Sequence, residues 1–329
     1  AFSQKESMAE DAKLDKTLMC DILWQSLIPL GVVSVDASNC FDRMFHMWIA
    51  LLWLCLTNNW TAVCLVLYCF SVMRFHQRTG WGDSKTYFGG PLAKKAFQGT
   101  GQGSKCSPAA WLQILSTMIA AYKGQGRGAY LLDPITRKVL HCMGSVFVDD
   151  TDLYVMSQHV LSGAECWSDM QESTNLWGGL LIATGGDLKP IKCFFSLAEY
   201  ECVDGVWDYT EKDDYGELCV PQPDGTFEPI TRKGVHEPEK TLGVRECIAR
   251  DAATQLEYIH DRMKDWINRF KNGHLPAHMN WLGYRLQLWP GLRYGLGTLV
   301  NDIEEAAEVF TKLDYQLLPV LGVARTVKT

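Results

Sequence analysis

Two acidic sites stand where short apolar runs end. The first is Asp36, in Val35-Asp36-Ala37-Ser38-Asn39-Cys40-Phe41-Asp42. The second is the pair in Phe147-Val148-Asp149-Asp150. Neighbouring carboxylates at a tight turn repel one another, and an ionised cluster is costly without a counter-charge. Divalent cations offset that cost. Two Mg²⁺ ions about 3.5–4 Å apart can clamp both sides of an in-line phosphoryl displacement. Mg²⁺ suits the task because it takes oxygen ligands and keeps sites for water and phosphate. Taken singly, either site also reads as solvated turn residues.

The elements that must position these carboxylates follow from local pattern. Val32, Val33 and Val35 form a short apolar run read as a buried strand that delivers Asp36 at its end. Val139 to Val148 reads as a second strand ending at Asp149 and Asp150, with Asp152 to Val155 as the return strand of a hairpin. Amphipathic helices are expected over Met8–Leu27, Ala109–Tyr122, Ala164–Leu181 and Asp251–Phe270; Ser107-Pro108 opens the second, with Pro just inside its start. Gly80 to Gly103 is rich in Gly and reads as loop. Short strands are expected at Tyr130–Leu132, Phe194–Cys202, Gly205–Tyr209, Leu218–Val220 and Thr241–Val244. Trp281–Leu299 and Ile303–Leu318 complete a helical C-terminal part.

The stretch joining the two acidic sites resembles a known family, the reverse transcriptases, and within it the non-LTR retrotransposon and group II intron branch. Asp36 with Phe41-Asp42 is similar to the family's first catalytic motif. Gly101-Gln102-Gly103-Ser104-Lys105-Cys106-Ser107-Pro108 is similar to its template- and nucleotide-positioning motif. Phe147-Val148-Asp149-Asp150 resembles its catalytic hairpin. Lys192, after Gly185-Gly186-Asp187-Leu188-Lys189-Pro190, resembles its lysine motif, and Thr241-Leu242-Gly243-Val244 the short strand that grips the primer. Each piece alone is weak; the ordered set, from about Val32 to Val244, is specific.

The resemblance implies an α/β (α+β) right-hand polymerase palm, with a small antiparallel sheet, packed helices and a helical thumb-like C-terminal subdomain. It implies residues 1–30 as an N-terminal helix, a remnant of the fingers; 31–244 as the palm, with a helical fingers-like insertion over 43–105; and 245–329 as the thumb-like or connection region. Most of the fingers, which in the family lie upstream of the first motif, are expected to be missing, so the fragment alone is expected to have weak or no activity.

The implied activity is RNA-directed DNA synthesis by a retroelement nucleotidyltransferase. It takes two Mg²⁺ ions, or Mn²⁺ in their place, an RNA or DNA template, a DNA primer and deoxynucleoside triphosphates. Asp36, Asp149 and Asp150 are the implied catalytic and metal-binding residues, Asp150 with the less certain direct contact. Phe41, Gln102, Gly103 and Lys192 are the implied nucleotide-binding residues. Phe41 would crowd a 2′-hydroxyl, Gln102 and Gly103 would lie under the nascent base pair, and Lys192 would reach the triphosphate or protonate pyrophosphate. The plain alternatives are core packing for Phe41, a flexible loop for the glycines and an exposed surface lysine for Lys192.

Composition sets the limits. The chain has 329 residues, 47% of them hydrophobic, which is ordinary for a globular protein. Lys and Arg number 31 against 38 Asp and Glu, a formal net charge of −7. A nucleic-acid partner therefore needs a local basic track. Arg262, Lys264, Arg269, Lys271, Arg285 and Arg293 in the C-terminal helices, and Lys94, Lys95 and Lys105 around the Gln-Gly-Ser motif, are the candidates.

The 12 cysteines show no CxxC spacing and read as buried thiols of a reducing, intracellular compartment. A nuclear or ribonucleoprotein setting is implied only by the resemblance. Met44 to Met73 has no charged residue, but His46, Asn58 and Asn59 interrupt it, and a span needs about 20 continuous apolar residues. Two buried helices turning at Asn58-Asn59 fit better than a membrane-associated protein. The chain begins at Ala1 and reads as a piece of something longer.

Three decoys fail on context. Gly185-Gly186-Asp187-Leu188 is similar to the diguanylate cyclase hairpin but follows a helix and lacks a second acid. Asp150-Thr151-Asp152 is a short Asp-X-Asp. His274 and His278 are separated by Pro276. The rival from another class is a catalytically silent palm remnant that serves as a nucleic-acid-binding or structural module.

Overall fold

A computed structural model describes residues 9–90, 98–101, 104–156, 162–212, 215–241, 243–296 and 303–323. In chain order the elements are α1 (Ala9–Ser26), β1 (Leu30–Asp36), α2 (Cys40–Arg43), α3 (His46–Thr57), α4 (Trp60–Val72), β2 (Arg74–Thr79) and β3 (Gly82–Gly89). There follow α5 (Ser107–Gly124), β4 (Ala129–Leu132), β5 (Val139–Cys142), β6 (Gly144–Phe147), β7 (Asp150–Val155), α6 (Gly163–Ala183), a 3₁₀ turn (Pro190–Lys192), β8 (Phe194–Val203) and β9 (Val206–Thr210). The last are β10 (Cys219–Pro221), β11 (Phe227–Pro229), β12 (Thr231–Arg232), β13 (Glu239–Thr241), β14 (Val244–Glu246), α7 (Ala253–Asn272), α8 (Ala277–Gly283), a π-helical turn (Tyr284–Leu288), α9 (Trp289–Arg293) and α10 (Ile303–Val320).

The fold is mixed α/β: a small sheet backed by helices, and a largely helical second unit. The first unit comprises residues 1–7, 29–197 and 212–233; the second comprises 8–28, 198–211 and 234–329.

The first unit is built on a sheet of order β12-β8-β1-β7-β6. β1 pairs antiparallel with β7, and β7 with β6, while β12 runs parallel to β8, so the sheet is mixed rather than purely antiparallel. β1 lies between β8 and β7 and is buried from Leu30 to Val35, as expected of a near-continuous apolar run. Behind it α6 buries Cys166, Met170, Trp177 and Leu181, and α5 buries Trp111, Ile114, Leu115, Met118 and Tyr122, both at helical spacing. Gly31 permits the close fit: a Cβ there would lie 2.3 Å from Met170 Sδ. Tyr122 meets Trp177 edge to face, ring centroids 5.8 Å apart.

Three expectations are corrected in this unit. The Gly-rich stretch after Arg78 was expected to be loop, yet part of it forms the β2–β3 hairpin. Both strands are almost wholly exposed, so they carry no alternating apolar pattern. The strand expected over Val139–Val148 is two strands, because Gly144, at φ 147°, breaks the run. α3 and α4 do turn at Asn58-Asn59, where Asn58 is left-handed and Asn59 Oδ1 caps the Ala62 N–H at 3.0 Å. They are not buried, however: only Ile49, Ala50, Val63 and Phe70 are, while Met47, Leu51, Leu56, Trp60, Leu65 and Tyr68 are exposed. Apolar residues surround both helices, and a helix pair can turn only part of that surface to its neighbours. Among the described residues, no helix is long and apolar enough to cross a membrane.

The second unit has its own core. Leu256, Ile259, Met263, Ile267 and Phe270 of α7 pack with Leu288, Leu292, Leu313 and Leu317. α1 belongs to this unit, where Trp24 stacks on Tyr209 at 4.7 Å. The helix expected over Trp281–Leu299 runs without a gap from α8 through the π turn to the end of α9, and residues 297–299 lie outside the described residues. Pro290 lacks the N–H that a continuous α-helix requires, and a π turn just before it absorbs the mismatch.

Candidate active site

The carboxylates converge through strand pairing. Asp36 is the last residue of β1 and lies directly opposite Asp150, the first residue of β7. Phe147 also pairs with Asp150, so Val148 and Asp149 alone form the turn of the β6–β7 hairpin. The Ala37 N–H donates to the Asp149 carbonyl at 3.3 Å, which ties the turn to the end of β1. Val148 has φ 57°, a conformation that a β-branched residue rarely adopts. The surroundings hold it there: Trp111 Nε1 donates to the Val148 carbonyl at 2.5 Å. One turn of strained backbone thus sets the position of Asp149.

A second segment brings in the counter-charge. The Ser38 N–H donates to the Asp187 carbonyl at 2.8 Å, Leu188 bridges Ala37, and the Lys189 N–H donates to the Asp36 carbonyl at 3.1 Å. Arg43 Nη1 pairs with Asp187 Oδ2 at 2.8 Å and secures the start of this segment. The 3₁₀ turn then presents Lys192, whose Nζ donates to Asp36 Oδ2 at 2.6 Å. The Asp36 side chain is 15% exposed and that of Lys192 54%. The hydrogen bond to Asp36 and the charge of that carboxylate, followed by the charges of Asp149 and Asp150, raise the Lys192 pKa above its ordinary value. The Lys192 ammonium therefore interacts with all three carboxylates.

Two buried thiols flank the cluster. Burial, then the Asp149 charge, pushes the Cys40 thiol up to about 12; burial pushes Cys193 up to about 11. Both are protonated near neutral pH and are poor nucleophiles. Behind the site, Ser34 Oγ donates to the buried Asp152 carboxylate.

Phe41, in α2, is half-buried against the core of the first unit. Its carbonyl accepts the Thr100 N–H at 2.8 Å. Gly99, at φ 80°, passes so close that a Cβ there would lie 2.3 Å from the Phe41 oxygen. Thr100 Oγ1 donates to Ser107 Oγ at 2.7 Å, and Ser107 Oγ to the Gly101 carbonyl at 2.8 Å. His46 Nε2 lies 2.6 Å from the Gly99 carbonyl. The loop before α5 is thereby strapped to the segment that follows Asp36. Gln102, Gly103, Lys94 and Lys95 lie outside the described residues, as does Leu242 of the strand resembling the primer grip.

Sequence reasoning missed the supporting groups Arg43, His46, Thr100 and Trp111. Their partners are remote in sequence, and only the Ser107-Pro108 helix start gave a local signal. Of the cations expected to meet phosphates, Arg262 bonds the Tyr258 hydroxyl at 2.8 Å and Arg269 pairs with Asp265 at 2.8 Å.

Among the described residues, no group of three or more His, Cys, Asp or Glu side chains is arranged to hold a metal ion. The donor set at the sheet end is nevertheless of the right type, carboxylate oxygens that suit Mg²⁺, and the cation that Asp36 holds is the Lys192 ammonium.

No protein-family model matches the chain, and comparison with curated proteins finds no match. Among solved structures, the chain is similar to apo telomerase from Candida tropicalis truncated from its C-terminal domain, at 12% identity and TM-score 0.37, over 67% of this chain and 40% of that one. It is also similar to telomerase from Candida albicans in complex with a TWJ fragment of telomeric RNA, at 10% identity and TM-score 0.40, over 98% and 53%. The corresponding Candida tropicalis complex gives 12% identity and TM-score 0.38, over 95% and 47%. The chain spans about half the length of these telomerase chains.

Proposed function

We propose that the chain is the palm and an adjoining helical part of an RNA-directed DNA polymerase, from a retroelement of the non-LTR and group II intron branch. The observation that carries this reading is the junction of Asp36, Asp149 and Asp150 at one end of the β1–β7 pair, with Lys192 against them. Such a cluster is built to hold cations and polyanions rather than to act as a nucleophile or a lone general base.

In this reading Asp36 and Asp149 hold two Mg²⁺ ions, or Mn²⁺, and Asp150 completes the acidic hairpin. When bound, the ions lower the pKa of the primer 3′-hydroxyl and neutralise the pyrophosphate leaving group. The residues of the chain supply position. The strained Val148 turn holds Asp149 in place, Phe41 crowds the 2′ position of an incoming nucleotide, and Gln102 with Gly103 supports the nascent base pair. Lys192 contacts the triphosphate. The partners are an RNA or DNA template, a DNA primer and deoxynucleoside triphosphates.

Primer extension with Mg²⁺ on RNA and DNA templates tests the reading, using the chain and a version extended at its N-terminus. Incorporation of deoxynucleotides that Asp149→Ala abolishes is the expected result. Binding of primer–template without extension by either form would transfer the reading to a silent nucleic-acid-binding module.

A further inference from the structure

Asp36, proposed above as a metal ligand, already holds a cation: the Lys192 ammonium, 2.6 Å from Oδ2. We propose that Lys192 is a resident counter-cation that a divalent ion must displace from Asp36, so that cation loading and release of Lys192 are one exchange. The proposal rests on the metal-binding reading of the carboxylates and adds a regulation of that site.

Three observations carry it. Asp36 and Asp150 sit directly opposite each other across β1 and β7, with Asp149 in the adjoining turn, and like charges in that register are destabilising. Lys192 faces them, with Nζ 2.6 Å from Asp36 and its ammonium close enough to feel Asp149 and Asp150 as well. Its backbone is fixed while its head is not. The Lys189 N–H is bonded to the Asp36 carbonyl and the Lys192 N–H to the Lys189 carbonyl, yet the side chain is 54% exposed. The ammonium can therefore swing into water on its four-carbon stem without disturbing the strand end. A compact divalent ion offers the same carboxylates twice the charge.

The test is Mn²⁺ binding, followed by the electron paramagnetic resonance signal of the free ion, together with thermal melts with and without Mn²⁺. The full chain is compared with Lys192→Met, Lys192→Gln and Asp36→Asn. Removing the ammonium is expected to tighten Mn²⁺ binding about threefold or more, a modest change because the pair is partly screened by water. The metal-free Tm of both Lys192 variants falls, and their Tm gain on adding Mn²⁺ exceeds that of the wild type. Asp36→Asn weakens binding. If Asp36→Asn weakens Mn²⁺ binding but both Lys192 variants bind as the wild type does or more weakly, the exchange is wrong while the metal reading stands. If Asp36→Asn leaves Mn²⁺ binding unchanged, the metal reading itself is wrong.

Discussion

Lysine and carboxylate meet in different settings in the two units. At the sheet end of the first, Lys192 faces Asp36, Asp149 and Asp150, and its side chain is 54% exposed. In the second, Lys13 and Lys16 of α1 converge on one oxygen of Glu246, at 2.6 and 3.1 Å, with side chains 4% and 9% exposed. Glu246 is itself 9% exposed, and its Oε2 is buried without a hydrogen-bond partner. A counter-cation left open to solvent can be exchanged for other ions. Ions sealed from water can only be kept, and their removal is felt by the fold. The difference teaches that solvent access, more than the number of charges, separates an exchangeable ion pair from a fixed one.

The largest expected effect lies on the open side. Asp149→Ala should lower primer extension by at least about a thousandfold, as loss of a metal-held charge in a phosphoryl-transfer site would, while urea-induced unfolding stays near wild type. A variant that unfolds much more easily would show that the open cluster is structural too and would erase the contrast. On the sealed side, Glu246→Ala removes a carboxylate that two buried ammonium groups share, and breaking a buried pair costs about 3–5 kcal/mol. Urea denaturation followed by tryptophan fluorescence reads that loss; a cost below about 1 kcal/mol would mean that water reaches the cluster.

Ser34→Ala probes an intermediate case, a neutral donor on a buried carboxylate. Removing it takes one hydrogen bond from Asp152 and should cost about 1–2 kcal/mol, measured by the same denaturation. The smallest effect concerns the thiols. Cys40 and Cys193 beside the open cluster should be alkylated at least about a hundredfold more slowly than Cys55, Cys64, Cys69 and Cys202, which are exposed. The sign follows from Cys40, whose pKa is raised from 9.0 to about 12 in the fold. Its contribution to stability is present below pH 9.0 and is lost as the pH rises towards 12. Mass spectrometry after a short iodoacetamide pulse checks the order, and early labelling of Cys40 would show the strand end to be loose.

Sequence was informative where a short-range pattern coincided with a long-range need. Val32, Val33 and Val35 announced the strand that Asp36 ends, and a hairpin was read around Phe147–Asp150, although its return strand starts at Asp150 rather than Asp152. The pairing of Asp36 with Asp150 follows from register, which strands do not display until they meet. Lys192 was visible only as a motif. Its partner lies 156 residues away, and a contact of that range leaves no local trace. The β2–β3 hairpin was hidden by having no buried face, and α3 and α4 misled because hydrophobicity without a polar face says nothing about which side is covered. α7 was legible because its apolar stripe and its charged face are distinct.

The indole of Trp111 touches the backbone of the turn that carries Asp149, through its Nε1–H bond to Val148. It is therefore a built-in gauge of that turn. Its side-chain N–H resonance, one among those of the 12 tryptophans, should shift whenever the turn relaxes or tightens, so that a change at the acidic end is audible from α5 without any added label.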